Sequence, residues 1–142
     1  EVGELALWKL ALKPGKPFAY GRVGEIPLFG LPGNPVSAFV TFMLLVRPAL
    51  LAMAGARDTG LPMYRLPAGF NRPESRERQE YLRARVTDGH SCTGQCLVPM
   101  RDQSSGVLTS VSGAQGLVEV PPFTAVREGD ILNFIPFSEL YG

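Results

Sequence analysis

Two lysines flank a stiff turn in Lys13-Pro-Gly-Lys-Pro17, and a second stiff turn, Gly30-Leu-Pro-Gly-Asn-Pro-Val-Ser37, precedes a long apolar segment. Pro14-Gly15 forces the chain to reverse, so the ammonium groups of Lys13 and Lys16 can converge where the preceding strand ends. Ligands of open α/β sheets bind at such carboxyl ends. A compact double positive charge there suits a phosphate or another oxyanion; two solvated lysines on a surface turn would share the spacing. In the second turn, Gly30 and Gly33 allow close backbone approach, and Asn34 followed by Pro35 reads as an N-cap and first helical residue. A helix starting there presents free N–H groups and its positive dipole end, which Ser37 could join through its hydroxyl. An ordinary capped helix start fits the same residues. The Gly-Lys-Ser/Thr pattern of a Walker loop is missing.

Other groups carry weaker signals. Arg72, Arg76, Arg78, Arg83 and Arg85 alternate with Glu74, Glu77 and Glu80, which reads first as a solvated, self-compensating strand. One arginine of that set turned toward a cleft would bind an anion bidentately. Gln103-Ser-Ser-Gly106 is a hydroxyl-rich turn in which Ser104 and Ser105 could donate to an oxyanion. His90, Cys92 and Cys96 crowd into one short segment without the fourth ligand a structural zinc needs, so no zinc is expected. With one histidine in the chain, a hydrolytic triad has little support.

The elements that position these groups follow from the apolar pattern. Residues 5–12 are almost continuously apolar, as in a strand buried on both faces of a parallel sheet, with a short helix as the alternative. Residues 18–23 and 26–31 read as two short strands around Gly24. A helix should run from Pro35 to about Met53 and stop near Gly55, with Pro48 kinking or dividing it. It is apolar nearly all round, so a sheet and a partner subunit would cover it. From Met63 onward short β-rich runs alternate with Gly, Pro, Asn and Asp: 63–70, 79–87, 95–99, 116–120 and 130–136. That spacing predicts a small antiparallel barrel or sandwich, with a domain boundary near residues 57–62.

Composition narrows the function classes. With 14 basic against 13 acidic residues, the chain lacks the basic excess of a general nucleic-acid binder. The longest apolar run, residues 36–46, is shorter than the roughly 20 residues a bilayer span requires, so no membrane association is expected. Two cysteines and no leader ahead of Glu1 point to a cytoplasmic, reducing location. The opening also reads as a piece of a longer polypeptide.

Lys13-Pro-Gly-Lys-Pro17, the Gly-Leu-Pro-Gly-Asn-Pro-Val-Ser run at 30–37, Phe42 and Val46-Arg-Pro-Ala49 together resemble the molybdopterin molybdenumtransferases, the MoeA proteins and the gephyrin E domain. Arg78-Gln-Glu-Tyr-Leu-Arg83 is similar to the family's Arg-x-x-Phe/Tyr-x-Arg strand. The Gln103–Ser110 turn, Ala114-Gln-Gly-Leu117 and Gly129-Asp-Ile-Leu132 continue the resemblance, with Gln115 in place of the usual Asn. It implies insertion of molybdenum from molybdate into adenylated molybdopterin with release of AMP. It also implies the C-terminal part of a MogA-like α/β domain over residues 1–57 and a β-barrel domain over 58–142. Lys13, Lys16 and Pro17 would lie in the molybdate and pterin cleft, with Pro32, Gly33, Asn34, Pro35 and Ser37 beside them. Arg78, Ser104 and Ser105 would approach from the barrel side.

The resemblance further implies catalysis by positioning and charge stabilisation with Mg2+, whose ligands are expected mainly upstream of residue 1. These residues alone are therefore expected to be inactive. A homodimer and a MogA-like adenylating partner are implied as well. Two other functions compete: a gephyrin-like scaffold without turnover, which would not need Lys13, Lys16 or the 30–37 loop, and a nucleic-acid-binding barrel, for which the mixed charges and the isolated Tyr81 are poor support.

Overall fold

The structure is a computed structural model and describes residues 3–9, 12–14, 17–89, 94–104 and 109–140. Three strands come first in one antiparallel sheet: β1 (Glu4–Lys9), β3 (Pro17–Val23) and β4 (Ile26–Gly30), in the order β1-β3-β4. Leu5 opposes Gly21 and Tyr20 opposes Phe29. This corrects the expectation for residues 5–12. β1 pairs antiparallel rather than within a parallel sheet, and Leu5 is 68% exposed instead of buried. A run of apolar residues reports apolar surface, not which strand will lie beside it.

The helix begins where Asn34 predicts. The Asn34 Oδ1 accepts from the backbone N–H of Val36 and Ser37, and Pro35 stands at the first helical position. Helix α1 (Pro35–Thr41) passes through a π-helical turn, Phe42–Val46, into α2 (Arg47–Met53). The π turn is how the helix accommodates Pro48. Pro48 has no N–H for the usual i→i−4 bond, and the Arg47 N–H reaches back five residues to the Phe42 carbonyl. Gly55 takes φ 82° just after the helix, a left-handed stop that glycine adopts without a Cβ clash.

Because the helix runs on through Pro48, its apolar stretch is 19 residues, Pro35–Met53, long and apolar enough to cross a membrane by length and composition. The shorter count from residues 36–46 is corrected accordingly. The helix is nevertheless packed as a core helix at its N-terminal end, where Val36, Val40 and Met43 are buried with Tyr81, Leu117, Ile135 and Leu140.

The second sheet is built from β2 (Leu12–Lys13), β5 (Tyr64–Pro67), β6 (Gln79–Asp88), β7 (Gln95–Pro99), β8 (Gly116–Val120) and β9 (Ile131–Pro136). Its order is β2-β6-β8-β9-β5, with β7 also on β6. A short helix α3 (Thr109–Ser112) precedes β8, and a 3₁₀ turn, Phe137–Glu139, follows β9. These pairings leave the sheet open among the described residues: the small antiparallel barrel or sandwich expected from the spacing is met in its mainly antiparallel strands, without closure into a barrel. One isolated parallel bridge, Ala68 to Leu97, brings the end of β5 against β7.

Each face of this sheet makes a core. Leu82, Ala84, Leu97, Val118, Val120, Leu132 and Phe134 pack on one side, and Tyr81, Leu117 and Ile135 meet the helix on the other. Each fully buried aliphatic side chain contributes about 1.5–3 kcal/mol. At Gly116, the first residue of β8, an added Cβ would overlap the Ile135 carbonyl oxygen and the Phe134 ring, which explains a glycine paired with both neighbouring strands.

Candidate functional site

Strand β6 alternates, so Glu80, Leu82 and Ala84 share one face and Tyr81 and Arg83 the other. At its N-terminal end β6 accepts β2 as a parallel neighbour, with Lys13 directly opposite Glu80. Glu80 is only 3% exposed, and a buried carboxylate must be paired. Here three cations pair with it. Lys13 Nζ lies 3.4 Å from Oε1, Arg76 Nε lies 3.5 Å from the same oxygen, and Arg72 Nη2 contacts Oε2. Arg76 also reaches the exposed Glu74 carboxylate at 3.5 Å, so three cations share two carboxylates and the cluster keeps one positive charge in excess.

That cluster lines a cavity of about 380 Å³, together with Pro14, Phe70, Asn71, Tyr81, Leu82, Arg83, Pro99 and Gln103. Arg83 has no exposed surface. Its Nη2 donates to the carbonyls of Asp102 at 3.3 Å and Ser104 at 3.0 Å, and burial pushes its pKa down, with the Asp102 carboxylate opposing. The Asp102 carboxyl is in turn held below its usual range by hydrogen bonds from the Ser104 side chain and backbone. On the helix-facing side the Tyr81 hydroxyl donates to Glu119 at 3.1 Å. Burial first, and then the Glu119 charge, push its pKa well up.

Of the residues that the family resemblance places in the cleft, Lys13 is the one among the described residues that lines this cavity, and Arg72, Arg76, Glu80 and Arg83 of the mixed charged run and Gln103 of the hydroxyl-rich turn line it too. Lys16 and Ser105 lie outside the described residues, as do His90 and Cys92. Pro17 is the exposed first residue of β3, opposite Lys9. The 32–37 loop does not line the cavity: Pro32 is buried, Gly33 and Pro35 are exposed, and Asn34 spends its side chain on the N–H groups of Val36 and Ser37. Ser37 itself is buried. Arg78 is half-buried and makes no ion pair or hydrogen bond among the described residues. Ser104 is exposed, with its backbone N–H on Asp102 Oδ1 at 2.7 Å. Cys96 is a buried residue of β7 beside Gly69.

The sequence reads Arg72, Arg76, Glu80 and Arg83 first as a solvated run, with one arginine free to turn toward a cleft, and Gln103 as part of a separate turn; it does not bring them together on one cavity. One signal could have found Glu80. It stands two residues before Leu82 and four before Ala84, so period two puts it on their apolar face. Magnesium does not fit the residues present. Among the described residues no three His, Cys, Asp or Glu side chains converge, and the cavity's carboxylate is already engaged by cations.

What this arrangement can do is hold an oxyanion against a partly dry wall of net positive charge, and comparison with known proteins bears on which. Residues 65–137 match the MoeA C-terminal region (domain IV), and residues 1–52 match the probable molybdopterin binding domain. The chain is 32% identical to molybdopterin molybdenumtransferase 1 of Mycobacterium tuberculosis, covering 94% of this chain and 33% of that protein. It is 48% identical over 62 residues to a molybdopterin molybdenumtransferase of Haemophilus influenzae, covering 44% of this chain and 15% of that one. Among solved structures, a molybdopterin biosynthesis MoeA protein of Pyrococcus horikoshii superposes with a TM-score of 0.75 at 30% identity, covering 96% of this chain and 32% of that one. The chain therefore spans about a third or less of the length of these relatives.

Proposed function

The chain belongs to the MoeA family, and from that premise we propose that the protein carrying it transfers molybdenum from molybdate to adenylated molybdopterin with release of AMP. The single observation that supports this reading is the cavity in which Lys13, Arg72 and Arg76 outnumber the Glu80 carboxylate. Molybdate is a tetrahedral dianion, and the excess positive charge on this cavity wall favours it. Lys13 and Lys16 would hold the oxyanion, Pro17 and the 32–37 loop would border the pterin, and Arg78, Ser104 and Ser105 would close from the other sheet. The chemistry asked of these residues is placement of the oxyanion and stabilisation of charge, with no covalent intermediate on the protein. No step is assigned to magnesium through the residues present.

In the same reading residues 1–57 belong to a MogA-like α/β domain and residues 58–142 to a C-terminal β-barrel domain. The whole protein would act as a cytoplasmic homodimer supplied by a MogA-like adenylating enzyme. Residues 35–53 would serve it as a core helix. The test is molybdate-dependent AMP release from adenylated molybdopterin by the full-length protein. Lys13→Ala and Lys16→Ala should each lower release by about a hundredfold, in keeping with loss of a charge at a positioned site. Release by the unaltered protein that is indifferent to both substitutions would refute the assignment.

A further inference from the structure

We infer that Arg83 and Gln103 form a positioning pair that fixes the turn carrying Ser104 at the rim of the cation-lined cavity. The inference rests on reading that cavity as an oxyanion site. Its support is a dense and unusual set of bonds. Gln103 uses its whole amide on the chain around it: Oε1 accepts from the Arg83 N–H at 3.0 Å, and Nε2 donates to the carbonyls of Arg83 and Met100, both at 2.8 Å. Arg83 answers from its side chain, with Nη2 on the carbonyls of Asp102 and Ser104. The turn is thus held from both ends of one residue, backbone and guanidinium.

The energetics point the same way. Arg83 is fully buried, makes no ion pair among the described residues, and its Nε has no hydrogen-bond partner among them. Burying a guanidinium against neutral carbonyls is costly, and an apolar side chain of similar volume would serve the core as well or better. What an apolar side chain could not do is bridge two carbonyls of one turn while adding positive potential to the cavity wall. Arg83 and Gln103 both line that cavity, so the clamp and the oxyanion would share a wall. The Ser104 hydroxyl and backbone N–H are both engaged with the Asp102 carboxylate, next to Gln103, whose side chain lines the cavity.

The experiment is steady-state AMP release by the full-length protein, with molybdate and adenylated molybdopterin varied separately. Gln103→Ala and Arg83→Met are compared with Val118→Ala, a core truncation away from the cavity, and thermal midpoints are measured on the same samples. Gln103→Ala should raise the molybdate KM by about tenfold or more while kcat and the pterin KM change little, because misplacement acts through the oxyanion contact. Arg83→Lys should recover part of what Arg83→Met loses. Should Arg83→Met fail to fold, Gln103→Ala carries the test alone. A molybdate KM unchanged in Gln103→Ala, with a midpoint lowered no differently from Val118→Ala, would overturn the pair as a positioning device and leave the oxyanion reading standing. Absence of any release by the folded, unaltered protein would overturn both.

Discussion

Lys13 and Glu80 stand directly opposite each other in the parallel pairing of β2 and β6, and the lysine Nζ lies 3.4 Å from the glutamate Oε1. The strand register therefore delivers the contact: pairing of two residues of β2 is enough to carry the lysine to a buried carboxylate 67 positions later in the chain. Glu80 is where the first part of the chain and the second sheet meet electrostatically.

Removing that carboxylate should be expensive. Glu80→Ala leaves Lys13, Arg72 and Arg76 facing one another with only the exposed Glu74, on Arg76, as counter-charge, and breaking a buried pair costs about 3–5 kcal/mol. Lys13→Ala should cost much less, about 1 kcal/mol or below, because Lys13 is 40% exposed and two arginines remain on the carboxylate. Urea unfolding of the two variants checks the order; equal losses would contradict it.

Tyr81 makes stability fall at alkaline pH. Its pKa is raised in the folded state, so the native protein keeps a proton that the unfolded chain releases above the ordinary value of 10.0. The contribution is fully present below pH 10 and is lost as pH rises toward the folded value, with a slope of at most one proton, about 1.4 kcal/mol per pH unit. Tyr81→Phe should flatten that alkaline slope. Unfolding midpoints at pH 8, 10 and 11, compared between the two proteins, provide the check.

Asn34→Ala should destabilise by about 1 kcal/mol, since it strips the acceptor from the Val36 and Ser37 N–H groups. Asn34→Asp should keep most of that stability because aspartate caps comparably. Denaturant midpoints with an unchanged m-value would confirm a local capping effect.

Gly116→Ala should cost about 2 kcal/mol or more. The new methyl group meets a backbone carbonyl and an aromatic ring already fixed in the core, and overpacking of this kind costs about 1–3 kcal/mol. Gly33→Ala, where open space surrounds the added Cβ, serves as the comparison and should change the thermal midpoint far less.

The positions of the strands in the second sheet were legible from the sequence, because β-branched runs bounded by Gly, Pro and Asp define short strands locally. So was the helix start at Asn34-Pro35, which depends on groups within three residues of one another. The lysine turn stood out for the same reason, and Lys13 does reach the cavity. These are features whose physics is complete within a few neighbouring residues.

Tertiary structure decided the rest. Arginines and glutamates mixed along residues 72–85 look alike whether they face water or a core, and only the sheet's packing turned Glu80 inward and drew Arg72 and Arg76 onto it. The partner of β1 and the open form of the second sheet depend on pairing between strands whose partners the local sequence does not name. By itself the sequence determined where strands and helix begin and which residues carry charge. Which charges meet was left to the fold, because apolar burial sets strand pairing across long loops and charge pairing follows from it.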